Sequence, residues 1–230
     1  MPQCAPCLLF LYLNMARNYV TEIREKYSNL YEGKDRWEQL SSRVDPLLES
    51  IEHIRKIPEG EVRDELLRGS IIGIVSCIEG YFRLAIRDII DSGEPFVSNA
   101  SKVTSNKKIT KYFGDPSVTK GDLVSHTISI NNFSSLNGIL SELLAIDFGE
   151  SLQINQVLDD EDTILRDFNP SLFEDVETLF SFRHMFAHEL ASDIYIELDD
   201  VDYFVSAGFL LIHASEELID ARISSEGFVA

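Results

Sequence analysis

Apolar residues recur every three or four positions along most of this chain, the spacing of one face of an α-helix. Val20, Ile23, Tyr27, Leu30 and Tyr31 begin the pattern, and Val44, Leu47, Leu48, Ile51 and Ile54 resume it. Pro46 predicts either the first turn of a second helix or a kink. Pro58-Glu59-Gly60 marks a turn. The strongest signal runs from Glu61 to Asp91, where Ile71, Val75, Ile78, Phe82, Ile86 and Ile89 share one face, and Ser92-Gly93 with Pro95 ends it. Residues 93–120 are rich in Ser, Thr, Asn, Gly and Pro, which predicts a long loop or irregular insert reaching to about 134. Helical spacing resumes near 135–146, 170–191 and 201–222, whereas the β-like fragments 125–130 and 194–198 are short. The expected fold is all-α, a helical bundle with a long insert between its early long helix and a late one.

Charge changes this picture more than composition does. Hydrophobic residues at 44% and charged residues at 26% are ordinary for a folded domain. The formal net charge of −19 is not ordinary, and it argues against broad coating of DNA, which calls for the opposite sign. Between residues 142 and 202 there are 17 acidic residues and, as bases, Arg166 and Arg183 alone. That skew reads as a solvated face, or as a docking surface for a basic partner. Lys102, Lys107, Lys108, Lys111 and Lys120 form the one basic stretch, inside the insert.

The first 14 residues differ in character from the rest. Leu8 to Leu13 is apolar, but no basic segment precedes it and no cleavage pattern follows it. The expectation is an extension ahead of a true start at Met15, with a single domain over 15–230. No stretch reaches the roughly 20 consecutive apolar residues of a membrane span. Cys4, Cys7 and Cys77 are too few for a disulfide framework and fit a reducing cytoplasm. Cys4 and Cys7 have redox-motif spacing without the strand and helix that such a motif needs. There is no internal repeat, dinucleotide-binding glycine motif or P-loop.

Candidate chemistry concentrates in Ser181-Phe182-Arg183-His184-Met185-Phe186-Ala187-His188-Glu189. On a helix, Leu172, Val176, Leu179, Phe186 and Leu190 form one stripe, and Arg183 falls within it. A guanidinium there requires a carboxylate or a phosphate. Glu79 is the expected carboxylate, because it too interrupts an apolar face. Glu177, Ser181, His184 and His188 share a neighbouring polar face. Arg183 and His188 stand about 140° apart around the helix, so one copy does not close both on one atom. Two copies meeting face to face could. The pair His184 and His188 has zinc-ligand spacing, but Met185 and Ala187 occupy the positions where either zinc-protease motif needs Glu. No third ligand is fixed by the sequence, and Ser181 lacks the strand-to-helix turn of a nucleophile elbow. His53 and His213 carry no motif, and Trp37 is expected in the core or in dimer packing.

Arg183-x4-His188, with Ala-His-Glu closing the motif, resembles the R-x4-6-H signature of HEPN domains. The segment Ile74-Val75-Ser76-Cys77-Ile78-Glu79-Gly80-Tyr81-Phe82-Arg83 is similar to that family's early long helix, in which an acidic residue interrupts an apolar face. The resemblance covers residues from about 16 to 222. It implies an all-α protein acting as a metal-independent endoribonuclease, of toxin–antitoxin or anti-phage character, with no cofactor. Arg183 and His188 would be catalytic and His184 and Glu79 supporting, in a homodimer whose two protomers form the cleft. The implied partners are RNA and an antitoxin or defence protein, with no membrane. Lys107, Lys108 and Lys111 are the expected RNA contacts. Two other readings stay open: a non-catalytic HEPN dimer acting through its acidic surface, and a divalent-metal site on His184 and His188.

Overall fold

A computed structural model describes residues 18–30, 34–104, 109–156, 163–189 and 193–226. Ten α-helices and one 3-10 turn make up the secondary structure of these residues, with an isolated bridge between Gln156 and Ile164 as the sole β pairing among them. α1 is Tyr19–Leu30, α2 Arg36–Ile54, α3 Glu61–Asp91, α4 Phe96–Val103, α5 Lys120–Thr127 and α6 Phe133–Leu144. α7 is Phe148–Gln153, α8 Leu165–Phe168, α9 Leu172–His188 and α10 Leu198–Glu226. The all-α expectation is met.

α3 is the axis of the molecule, and α2, α4, α5, α6, α9 and α10 pack around it. That surrounding explains its composition. The six residues of its expected apolar face are all buried, and so are Leu67, Ile74, Tyr81, Ala85 and Ile90 to either side of it. A helix enclosed on nearly every side needs apolar residues nearly all round. By length and composition alone α3 would cross a membrane, which the count of consecutive apolar residues did not reveal. However, 67% of its apolar window is buried inside the protein.

Local signals set the ends of the other helices. Asp35 and Glu38 form a capping box at the start of α2, and Thr119 and Asp122 form one at the start of α5. Asn132 caps α6, and Ala145 closes it in the left-handed conformation with φ 54°. Pro46 neither starts nor breaks a helix; it lies inside a continuous α2.

The stretch expected as an irregular insert carries two eight-residue helices, α4 and α5, and a 3-10 turn. Phe96 and Ala100 are one turn apart on α4, and with Leu123, Val124 and Ile130 they are buried in the common core. Gly121 makes the close approach of α5 to α3 possible: a Cβ there would meet the Arg87 carbonyl oxygen at 2.5 Å. Such contacts join residues distant in sequence, so the Ser, Thr and Gly content gave no sign of them. The β-like fragments likewise do not form a ladder: 125–127 end α5, and 194–197 carry no regular structure, with the Ile194 carbonyl accepting from Arg68. Trp37 is 43% exposed, with its ring edge-on to His213 at 6.5 Å, so it is not a core residue.

Candidate active site at the end of helix α9

α9 carries the motif, and its start is built to hold an acidic first turn. Asn169 Oδ1 accepts from the Ser171 backbone, and the Ser171 hydroxyl donates to Asp175 at 2.9 Å. Glu174 and Asp175 sit at the positive end of the helix dipole, where carboxylates are favoured. Leu172, Val176, Leu179 and Phe180 bury the first half of the helix. Phe182 and Phe186 stack at 5.7 Å, and Phe182 meets Phe204 of α10 edge-on at 5.7 Å. This aromatic group fixes the rotation of the motif turns against the bundle. Leu190, expected on the same stripe, lies outside the described residues.

Arg183 emerges from α9 beside α3. Its Nη2 lies 3.5 Å from Glu79 Oε1, and the two side chains are 29% and 18% exposed. The carboxylate supplies the countercharge that a half-buried guanidinium needs. At 3.5 Å the contact is longer than a charge-assisted hydrogen bond. Among the described residues, the other donors of Arg183 meet no protein acceptor. The planar fork is anchored on one side and open on the other, an arrangement suited to an incoming oxyanion.

His188 is the last residue of α9 and is exposed. His184 is exposed one turn before it, with the two rings 5.2 Å apart. The polar face expected to run from Glu177 to His188 is divided in use. Glu177 Oε2 accepts from the Phe133 backbone at 2.9 Å and so caps the start of α6. The Ser181 hydroxyl donates to the Glu177 carbonyl at 3.0 Å, which commits it to the helix. Only the histidines remain uncommitted to the fold. No group of three or more His, Cys, Asp or Glu residues able to hold a metal occurs among the described residues.

The lysines divide as well. Lys111 lies in the 3-10 turn Thr110–Tyr112, 4.6 Å over the Tyr112 ring. Lys102 is 3.9 Å from Glu142, and Lys120 donates to the Val97 carbonyl. Lys107 and Lys108 lie outside the described residues. The structure therefore brings Arg183, Glu79, His184 and His188 into one neighbourhood, with Lys111 on a different element.

A family model described as RiboL-PSP-HEPN matches residues 38–221. The chain belongs to this HEPN-type family. No curated protein and no solved structure gives a match. In this HEPN-type domain the matched span begins in α2 and ends in α10, and it contains both Glu79 and the Arg183–His188 motif.

Sequence reasoning missed two further clusters. Arg36 at the start of α2 is 11% exposed and reaches three carboxylates: Glu216 at 2.7 Å, Asp220 at 2.5 Å and Asp88 at 3.3 Å. The Tyr81 hydroxyl donates to the same Glu216 oxygen. The partners come from two helices distant in sequence, α3 and α10, so no local pattern announces them. The other cluster lines a cleft between α2 and α3. Its one sequence signal is a charged residue, Arg43, four positions after a buried Gln39.

Proposed function

We propose that this protein is a metal-independent endoribonuclease of HEPN type, acting as a homodimer and serving as a toxin or anti-phage component. The observation that carries this reading is the state of Arg183: anchored by one carboxylate at 3.5 Å, half-buried, with its remaining donors meeting no acceptor among the described residues. His188 lies five residues on, exposed at the helix end.

The chemistry asked of these groups is small. RNA supplies its own nucleophile, the 2′-hydroxyl. One His188 takes the proton from that hydroxyl as the oxygen attacks the adjacent phosphorus. The bond from phosphorus to the 5′-oxygen breaks, and His188 of the partner subunit donates a proton to the leaving oxygen. The products are a 2′,3′-cyclic phosphate and a 5′-hydroxyl. Arg183 meets the charge that builds on the non-bridging oxygens during the step. Two protomers are needed because Arg183 and His188 diverge around one helix by about 140°.

The acidic surface favours a second reading, a non-catalytic HEPN dimer that binds a basic protein. The two separate on cleavage of total RNA by the wild-type chain and by His188→Ala, both in EDTA. Cutting by the wild type alone, leaving cyclic phosphate ends, is the expected result. Silence from the wild type, together with a partner lost when exposed carboxylates between residues 142 and 202 are neutralised, would favour the second reading.

A further inference from the structure

α3 carries an exposed crest between two walls. Ser76 and Gly80 lie on it, open to solvent, and Glu79 stands on the same turn, about 60° from Ser76 toward α9. On the α9 side, Arg183 meets Glu79 at 3.5 Å. On the other side is α2, whose Ser42 and Arg43 line a cleft of about 300 Å³ together with Ser76 and Gly80. Leu40 and Leu84 give this cleft apolar surface. Gly80 leaves the backbone of α3 bare, because a Cβ there would meet nothing within 4 Å.

Charge sets the cleft apart from the rest of the molecule. The chain has 39 acidic residues, yet none of them lines it. Arg43 is exposed and forms no ion pair with a carboxylate among the described residues. Arg36, Arg55, Arg63, Arg68, Arg87 and Arg222 all form one. A larger cleft of about 600 Å³ lies farther along the seam between α2 and α3, but Glu49 and Glu65 line it. Those carboxylates repel a polyanion. The route open to one therefore crosses the crest, from Arg183 over Ser76 and Gly80 to Arg43, and does not follow the seam. Because the two arginines flank one helix, they are separated by roughly its diameter of 10 Å. A short single strand of nucleic acid spans that distance.

We propose that the crest of α3 is the path of a single RNA strand, with Arg43 holding a second phosphate of the strand whose scissile phosphate lies at Arg183. The Arg43 fork donates to the non-bridging oxygens of that second phosphate. The missing side chain at Gly80 lets the strand lie close to the helix. A phosphate contact of this kind fixes the position of the strand without reading its bases. The inference rests on the RNA-cleaving reading and supplies what an acidic nuclease otherwise lacks, a local foothold for its substrate.

The test compares two substrates. A dinucleoside monophosphate carries only the phosphate that is cut, so it has none left for Arg43. A single-stranded oligonucleotide of about a dozen residues reaches both arginines. On the oligonucleotide, Arg43→Gln is expected to raise KM about tenfold with kcat unchanged, the scale of one charged hydrogen bond lost outside the reacting group. On the dinucleoside monophosphate, Arg43→Gln and wild type should be equal. Arg166→Gln removes an exposed arginine on α8 and controls for net charge; it should match wild type on both substrates. Binding is read separately by fluorescence anisotropy of the labelled oligonucleotide with the His188→Ala chain. There, adding Arg43→Gln should reduce the slope of log affinity against log salt by about 0.7, the share of one phosphate contact on a single strand. Unchanged oligonucleotide kinetics in Arg43→Gln, an equal loss on both substrates, or an equal loss in Arg166→Gln overturns the path while the nuclease reading stands. Binding that depends on Arg43 without any cleavage by the wild type keeps the path and overturns the nuclease reading. Absence of both cleavage and binding overturns the two together.

Discussion

Arg36 and Arg183 each meet a carboxylate of α3, yet they are held in different ways. Arg36 bonds three carboxylates on α3 and α10 and is 11% exposed. Arg183 has one carboxylate, at a looser 3.5 Å, and is 29% exposed. Burial by itself would lower the Arg36 pKa, but the hydrogen bonds it donates to Glu216 and Asp220 and the negative charge of Glu216 outweigh it, holding it above the ordinary range. The first arginine is saturated, and its work is to join α2, α3 and α10. The second keeps donors in reserve. A side chain that the fold anchors without satisfying is one that can bind something else.

Exchanging the two side chains for Met would sharpen this contrast most. Arg183→Met is expected to lower RNA cleavage about a thousandfold, the scale of a lost transition-state donor. Its Tm should fall by no more than about 4 °C, because a partly exposed pair contributes about 1 kcal/mol or less. Arg36→Met leaves Glu216 without its cation, while Asp88 keeps Arg87 and Asp220 stays in solvent, and should cost about 3 kcal/mol. For a chain of this length that is a Tm lower by roughly 6–12 °C. Thermal melting and cleavage measured on both variants check the pair. If Arg183→Met melted as low as Arg36→Met, the distinction between the two sites would collapse.

Glu79→Gln is a smaller perturbation. It keeps the shape and removes the charge that orients Arg183, so cleavage should fall about tenfold to a hundredfold. Tm should barely move, and kcat rather than KM should carry the loss. Equal loss of activity and stability would make Glu79 a structural residue only.

The smallest effect concerns pH. Burial, and then the neighbouring Glu216 carboxylate, push the Tyr81 phenol well above its ordinary range. In the unfolded chain that phenol ionises near pH 10. Stability from this group is therefore complete below about pH 10 and is lost as the pH rises beyond it. Tyr81→Phe should lose about 1 kcal/mol at neutral pH through the missing hydrogen bond. It should then decline less steeply than wild type in alkaline melting curves. Parallel alkaline curves for the two proteins would show that Tyr81 does not titrate as its surroundings imply.

The sequence by itself determined the helical class and the long α3, because a helix covered over most of its circumference must be apolar through most of its turns. It also placed Arg183 next to Glu79: two charges, each breaking an apolar stripe, had few other partners. Periodicity is a local property, and these features are local on each helix. The tertiary structure decided the rest. α4 and α5 fold in a stretch whose composition suggested a loop, because Phe96, Ala100, Leu123 and Val124 find their core across the chain. Arg36 gathers its carboxylates from residues 88, 216 and 220, which no spacing rule connects. Ser181 and Glu177 left the candidate polar face because backbone groups claimed them. Which polar groups the fold consumes, and which it leaves open to a substrate, is settled only when all the helices are in place.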